Sequence, residues 1–532
     1  MMNEVKLFDT TLRDGTQGEK VSLLVQNKLK ITELLDDMGI HYIEGGWPGS
    51  NPKDEEYFLQ VKKLNLKQTK ITAFGSTRRA KLKPEDDPNI QALVESEVPA
   101  IAIFGKTWDL HVIDALKIDL EKNLEIIFDS VKYLKNYTDE LFYDAEHTFD
   151  GYKGNPEYAL KTIQAAVEGG ADNIVLCDTN GGTITWELEK IIEEIKQKFP
   201  GVPLGIHAHN DSGLATANTL ASVKCGITQV QGTFNGYGER CANADLTSVI
   251  PNLKLKMNID CISNENLKKI TLVSKKIDEI FNLPHNSRLP YVGDSAFAHK
   301  GGIHVSAVLR NPQCYEHVNP ELVGNRRRAL ISDLSGMSNI VYKAREMGIE
   351  IDKDTVAGKK TLEEIKKLEN QGFYFETADA SFELMLLRNK GEVRDYFELL
   401  SYRVIDGRKK VEDITAIEAT VMVRVGKEIE HTASVGNGPV NALDYALRKA
   451  LLRFYPSLEA LKLLDYKVRI LLGEKGTAAT VRVLITSGDE KDTWETVGVA
   501  TDIIDASRQA LIDAVVYKLM KDDGLVSISS KK

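Results

Sequence analysis

The sequence predicts an α/β protein: a (β/α)8 TIM barrel, then helical linker subdomains, then a C-terminal α+β domain. Three observations predict the barrel. Eight apolar, strand-like runs alternate with amphipathic, helix-like runs over the first 260 residues. Polar residues gather where those runs end, the face on which such barrels carry their sites. No glycine-rich dinucleotide fingerprint follows the first run, which argues against a doubly wound sheet.

The strand-like runs, in order, are Val5–Phe8, His41–Glu44, Ile71–Phe74, Ala100–Phe104, Leu141–Glu146, Asn173–Asp178, Pro203–His209 and Gln229–Phe234. Between them the spacing predicts helices over Leu23–Met38, Leu120–Lys135, Pro156–Glu168, Thr185–Phe199 and Leu214–Cys225. In 120–135, Leu120, Leu124, Ile127, Phe128, Val131 and Leu134 recur at helical spacing. Residues 1–260 form the expected barrel domain. Residues 261–395, charged helices broken by loops, read as a helical extension and linker. Residues 396–525 read as a small α+β domain, with 526–532 a tail.

That third domain carries a weak internal repeat. Runs at Ala416–Val425 and Glu430–Val435 precede a helix at Val440–Phe454. Runs at Tyr466–Leu472, Ala478–Ile485 and Thr493–Ala500 precede another at Ile504–Leu519. Gly436-Asn437-Gly438-Pro439 enters the first of these helices. It reads either as an anion-holding helix start or as a plain tight turn.

Composition narrows the function. Lys plus Arg number 68 and Asp plus Glu 78, a net charge of −10, which opposes a nucleic-acid partner. No apolar run reaches the ~18–20 residues of a spanning helix, and no signal-peptide core follows Met1, so no membrane partner is expected. The five cysteines (Cys177, Cys225, Cys241, Cys261, Cys314) include no C-x-x-C pair. That predicts a reducing, cytoplasmic setting without a cysteine zinc cluster. Cys241 reads as a small buried hydrophobe.

The chemistry gathers at the predicted mouth. His207-Ala208-His209 on a strand points both imidazoles to one face, as ligands for a divalent cation. Asp9-Thr10-Thr11-Leu12-Arg13-Asp14-Gly15-Thr16-Gln17 follows the first strand. Gly232-Thr233-Phe234-Asn235-Gly236-Tyr237-Gly238-Glu239-Arg240-Cys241-Ala242-Asn243 follows the eighth. Asp14 offers an oxygen ligand, and Arg13 a bidentate clamp for a carboxylate. With Asn243, the Asp/His/His/Asn set suits Mg, Mn, Zn or Co. The competing reading is four satisfied polar groups at loop starts.

These three segments together resemble the family of 2-isopropylmalate, homocitrate and citramalate synthases. The resemblance continues through Phe297-Ala298-His299-Lys300-Gly301-Gly302-Ile303-His304 and Tyr315-Glu316 into the tail domain. It implies an acyltransferase that joins acetyl-CoA to a 2-oxoacid and hydrolyses the thioester. It implies Asp14, His207, His209 and Asn243 as metal ligands, with Arg13 and Thr179 on the oxoacid. It implies Glu146, His304 and Tyr315 as catalytic groups, the last two from beyond the barrel. It further implies a homodimer and an allosteric tail domain. One departure is Ala242, where the family often has glycine before the ligand Asn.

The acceptor decides the member. Phe74-Gly75-Ser76-Thr77-Arg78-Arg79, Glu44-Gly45-Gly46-Trp47-Pro48-Gly49-Ser50 and Tyr315-Glu316-His317-Val318 resemble the branch whose acceptor is pyruvate. Its pathway leads to isoleucine, which becomes the expected effector. A 2-oxoisovalerate acceptor is the alternative. A metal-dependent acyl-CoA lyase and a non-catalytic amino-acid sensor are the rivals from other classes. Arg78, Arg79 and His111 stand near the expected mouth, as groups for a second carboxylate, for CoA phosphates, or as solvated surface. Trp47 either narrows the pocket or packs beneath the loop.

Overall fold

A computed structural model of the chain describes residues 4–407, 417–471 and 479–526. The expected strand ends Ala416, Leu472 and Ala478, and residues 527–532 of the expected tail, lie outside them. The chain forms two compact units, Met1–Phe297 with Val318–Arg326, and Ala298–His317 with Arg327–Lys532.

The first unit is a closed parallel barrel of β1 (Lys6–Asp9), β2 (Tyr42–Gly46), β3 (Lys70–Ser76), β4 (Ala100–Lys106), β5 (Glu140–Glu146), β6 (Asn173–Asp178), β7 (Leu204–Ala208) and β8 (Gln229–Gly232). β8 pairs with β1 in register Lys6↔Gln229 to Asp9↔Gly232, which closes the ring. Every predicted strand is present, each end within a few residues of its expected place.

Alternation explains the layering. Phe8, Tyr42, Phe74, Ala100, Ala102 and Phe142 face inward and fill the barrel. Phe8 stacks on Tyr42 at 5.7 Å and meets Phe142 edge-on at 5.5 Å. Leu7, Ile43, Ile101, Ile103, Leu141 and Tyr143 face outward, beneath the helices. The helix over Leu120–Leu134 buries Ile127, Val131 and Leu134, members of the predicted stripe. Helix Pro88–Glu95 starts where Asp87 accepts from Asn89 N and Ile90 N, with Pro88 at its first position.

Gly46 shapes the mouth. It lies at φ +151°, and a Cβ there would meet the Asp54 carboxyl at 2.5 Å. Asp54 in turn accepts from Trp47 N and pairs with buried Lys28.

Arg78 departs from expectation. Its side chain is buried, bonded to Leu82 O, Glu125 and Asp129 beside the helix over Leu120–Leu134. It is a brace outside the barrel, absent from the lining of the mouth cleft. Arg79 is exposed and donates its backbone N–H to Asp87. Cys241 is exposed, not a buried hydrophobe, and all five cysteines are unpaired.

The second unit pairs the short β9 (Ala298–His299) and β10 (Arg328–Ala329). Helices follow at Gly302–Arg310, Met337–Glu346, Val356–Asn370 and Asp379–Lys390. The predicted repeat is real. β11 (Glu398–Asp406), β12 (Ile417–Val425) and β13 (Glu428–Gly436) form an antiparallel sheet followed by helix Pro439–Leu452. β14 (Lys462–Ile470), β15 (Val481–Gly488) and β16 (Thr493–Ala500) do the same before helix Ile503–Asp522. β11 has no counterpart among the expected elements. It is an edge strand whose residues are all exposed or half-buried, so it shows no clear core stripe.

Glu383 ties helix Asp379–Lys390 to helix Ile503–Asp522 through its carboxyl, which accepts from Tyr517 Oη at 2.7 Å. Burial pushes this carboxyl up to about 7, against the opposing hydrogen bond. A native pKa above the unfolded value means that the folded state holds the proton longer. Stability is then full below about pH 4.5 and falls as pH rises toward 7. At ~1.4 kcal/mol per pH unit the loss is about 3 kcal/mol. Glu383→Gln keeps an acceptor for Tyr517 and removes that slope. Urea unfolding followed by fluorescence of Trp494, whose ring lies 5.7 Å from that of Tyr517, reads it out. An unchanged slope in the variant would reject the assignment.

Candidate active site

The site grows from the turn after β1. Asp9 accepts from Thr11 N at 2.9 Å and Thr11 Oγ1 at 2.8 Å, while Thr10 N donates to Gly232 O at the end of β8. Burial pushes the Asp9 carboxyl up to about 7 despite those bonds. The chain so turned presents Arg13 and Asp14. Arg13 Nε bonds Glu44 Oε2 at 2.5 Å, Nη1 lies 3.2 Å from Asp14 Oδ2, and Cζ sits 3.8 Å over the Phe74 ring. A guanidinium held on three sides is pre-set to grip a planar carboxylate with its remaining N–H groups. Burial alone would lower the Arg13 pKa, yet Glu44 and Asp14 hold it above its ordinary value.

β7 brings the two imidazoles to the same place. His207 Nε2 lies 3.3 Å and His209 Nε2 3.9 Å from Asp14 Oδ2, and the two Nε2 atoms are 3.2 Å apart. Among the described residues this is a buried carboxylate–imidazole cluster with donor atoms all within 4.8 Å. Burial opposes ionisation of Asp14, but Arg13 and then His207 overcome it and hold the carboxyl far below its usual range. Burial would lower His207, and its bond to Asp14 raises it instead. Burial and then the neighbouring His207 push His209 down to about 3.

Asn243 comes from the loop after β8, bridged antiparallel to His209. Its Nδ2 donates to Tyr237 O at 3.0 Å, and its buried Oδ1 has no partner among the described residues. Asp14 Oδ1 is also buried without one. Orphaned oxygens beside imidazole nitrogens ~3 Å apart are what a small cation with ligands at ~2.1 Å requires. His207 Nδ1 meets Gln231 Oε1 at 2.9 Å, which assigns the proton to Nδ1 and frees Nε2. His209 Nδ1 faces Arg240 Nη2 at 3.1 Å, a donor-only group. Ligation through its Nε2 therefore requires Arg240 to release the ring. Arg240 and Ala242 both lie at positive φ, 56° and 77°. A glycine would adopt the latter without strain, so the departure at Ala242 is conformational and leaves Asn243 beside His209.

Arg13, Asp14, Glu146, Thr179, His207 and His209 all line one cleft of about 220 Å3. Glu146 ends β5 and is ion-paired with Lys106 at the end of β4. Thr179 Oγ1 accepts from His147 N at 2.9 Å, so its own hydroxyl proton is available. Trp47, Phe74 and Phe104 wall the cleft. Trp47 meets the other two edge-on at 5.7 and 5.8 Å, and its Nε1 donates to Asn89. Trp47 thus lines the cleft with its indole N–H tied to Asn89 at the start of helix Pro88–Glu95. His111 stacks with Trp108 and lies 4.2 Å from the His147 ring; it does not line the cleft. His304 and Tyr315 belong to the second unit, where their rings stack at 4.2 Å.

Sequence reasoning missed Glu44 as a brace for Arg13, together with Lys106, Asp144 and Gln231. Three of the four sit on buried strands as isolated polar residues, a signal available in the pattern itself.

Residues 4–277 match the family model described as HMGL-like. Residues 291–372 match "Homocitrate synthase post-HMGL domain-like", and 376–519 "LeuA allosteric (dimerisation) domain". An (R)-citramalate synthase of Geobacter sulfurreducens is 57% identical over 522 residues, 98% of this chain and 99% of that one. One from Aquifex aeolicus is 55% identical over 98% and 99%. A 2-isopropylmalate synthase of Methanocaldococcus jannaschii is 32% identical over 98% and 95%.

Proposed function

The chain belongs to the HMGL-like family, and from that premise we propose the reaction its site performs: acetyl-CoA condenses with pyruvate, and the thioester is hydrolysed to give (R)-citramalate and CoA. The observation that carries this is full-length identity of 57% and 55% to (R)-citramalate synthases, against 32% to a 2-isopropylmalate synthase. The chain is thus an acyltransferase. The lyase and sensor readings fall behind it.

We assign the residues as follows. Asp14, His207, His209 and Asn243 hold a divalent metal, which when bound supplies Lewis-acid polarisation of the ketone. Arg13 and the Thr179 hydroxyl grip the acceptor carboxylate. The Glu146 carboxylate, oriented by Lys106, takes a methyl proton from acetyl-CoA. The enolate carbon attacks the keto carbon, a C–C bond forms, and the ketone oxygen takes up a proton. Water then displaces CoA from the thioester. His304 and Tyr315 keep the catalytic role from beyond the barrel that the resemblance implies, with His304 a further candidate for proton transfer. The aromatic wall of Trp47, Phe74 and Phe104 favours a small acceptor substituent.

The match of 376–519 to an allosteric dimerisation domain supports a homodimer with an end-product effector, for which isoleucine is our choice. The Gly438–Pro439 helix start is where we place its carboxylate. Five unpaired cysteines support a reducing, cytoplasmic setting, and a pyruvate acceptor supports a place in isoleucine synthesis.

The test is CoA-thiol release from acetyl-CoA, with Mg or Mn, across pyruvate, 2-oxobutanoate, 2-oxoisovalerate and 2-oxoglutarate. Pyruvate is expected to give the highest kcat/KM, and added isoleucine to lower the rate. Preference for 2-oxoisovalerate would overturn the acceptor. Indifference to isoleucine would overturn the effector alone.

A further inference from the structure

Glu316 has no part in the chemistry above, yet it is the buried member of a segment that is otherwise open. Tyr315 and His304 are exposed, while Glu316, one peptide unit beyond Tyr315, is 8% exposed. Three contacts hold its carboxyl. Arg327 Nε donates to Oε1 and Arg327 Nη2 to Oε2, each at 2.5 Å, a two-pronged grip that fixes direction as well as distance. His299 Nε2 lies 3.2 Å from Oε1. Burial opposes ionisation of this carboxyl, but Arg327 and then His299 hold it below its ordinary value.

The partners are themselves held by backbone. His299 ends β9 and pairs with Ala329 of β10, and Leu330 N donates to His299 O at 2.9 Å. Arg327 directly precedes β10, and its carbonyl accepts from Tyr342 Oη at 3.3 Å. Glu316 therefore ties the turn that carries Tyr315 to a two-stranded ladder. On the other side, Tyr315 N and Glu316 N both donate to Pro312 O, at 3.1 and 3.0 Å, and close the short turn that Asn311 caps. Between these anchors the Tyr315 ring stacks on the His304 ring at 4.2 Å. One ring contact at the surface gains about as much as the side-chain freedom it removes, so the pairing needs a backbone already in place. A buried ion pair is in many folds a plain brace. This one is joined by a single peptide unit to a group assigned to the reaction.

We propose that Glu316 is a positioning residue for the condensation: clamped by Arg327 and His299, it fixes the backbone that presents Tyr315 over His304. The inference rests on the catalytic role given to Tyr315 above.

The experiment measures kcat and KM for pyruvate and acetyl-CoA in the full-length wild type, Glu316→Gln, Arg327→Lys and Tyr315→Phe, and in Tyr315→Phe combined with each of the other two. Glu316→Gln keeps the shape and turns an amide N–H toward the guanidinium. It is expected to lower kcat by about 10- to 100-fold, with both KM values within about threefold of wild type. Arg327→Lys keeps the charge and loses one prong, and is expected to lower kcat by a smaller factor, about three- to tenfold. Tyr315→Phe is expected to lower kcat on its own. Added to it, either clamp substitution should cost less than about twofold more, because the group it positions is already gone. A loss that came from unfolded protein would instead multiply with that of Tyr315→Phe. Losses that multiply in this way, or kcat within twofold of wild type in both clamp variants, would overturn the proposal while leaving the role of Tyr315 standing. A Tyr315→Phe enzyme at the wild-type rate would overturn that role instead, and this inference with it.

Discussion

Asp14→Asn is expected to lower CoA release with pyruvate by about a thousandfold or more, near 4 kcal/mol of transition-state stabilisation. The carboxylate serves two groups at once. It faces both imidazoles, at 3.3 and 3.9 Å, and it touches Arg13 Nη1 at 3.2 Å. The amide that replaces it keeps the size and loses the charge. Divalent-metal affinity, measured by calorimetric titration of Mn, is expected to fall with activity, and the pyruvate KM to rise as Arg13 loses a brace. Chelation of the wild type should reproduce the loss, and added Mg or Mn should reverse it. A variant that keeps a tenth of the wild-type rate and full metal affinity would remove Asp14 from the ligand set.

Glu146→Gln is expected to cut kcat by about 10^2- to 10^4-fold, with the pyruvate KM close to wild type. The glutamine still offers an oxygen to Lys106 but cannot accept a proton. Exchange of the acetyl-CoA methyl protons with solvent deuterium isolates that step. The wild type should exchange and the variant should not. Continued exchange in the variant would leave Glu146 a purely structural partner. The structure supplies Lys106 as that partner.

The barrel was legible because each strand is a short apolar run ended by polar residues, and the polar ends are the mouth. Segment 9–17 and the H-x-H pair made Arg13, Asp14, His207 and His209 legible for the same reason. β11 was not legible and has no fully buried residue, whereas β14, an edge strand equally without one, was anticipated over part of its length. Arg78 was misplaced because its partners, Glu125 and Asp129, lie 47 and 51 residues away. Nothing local to Arg78 shows them. Asp144 and Glu44 were legible as polar interruptions of buried strands, but the interruption alone does not say which arginine or which cleft they face.

The closure of β8 on β1 also sets an order of events during folding. Thr10 Oγ1 bonds Gly232 O across 222 residues of chain, and Asp14 meets His207 and His209, which arrive only with β7 and the residue after it. A nascent chain that has just completed β6 holds Asp14 and neither imidazole. The donor set therefore forms only when the ring shuts, against the loop entropy of its longest-range pairing. If the proposed ligand set holds a metal, its affinity is a gauge of ring closure. A fragment stopping short of residue 229 would hold both imidazoles and Asp14 on one chain with no strand to bring them together.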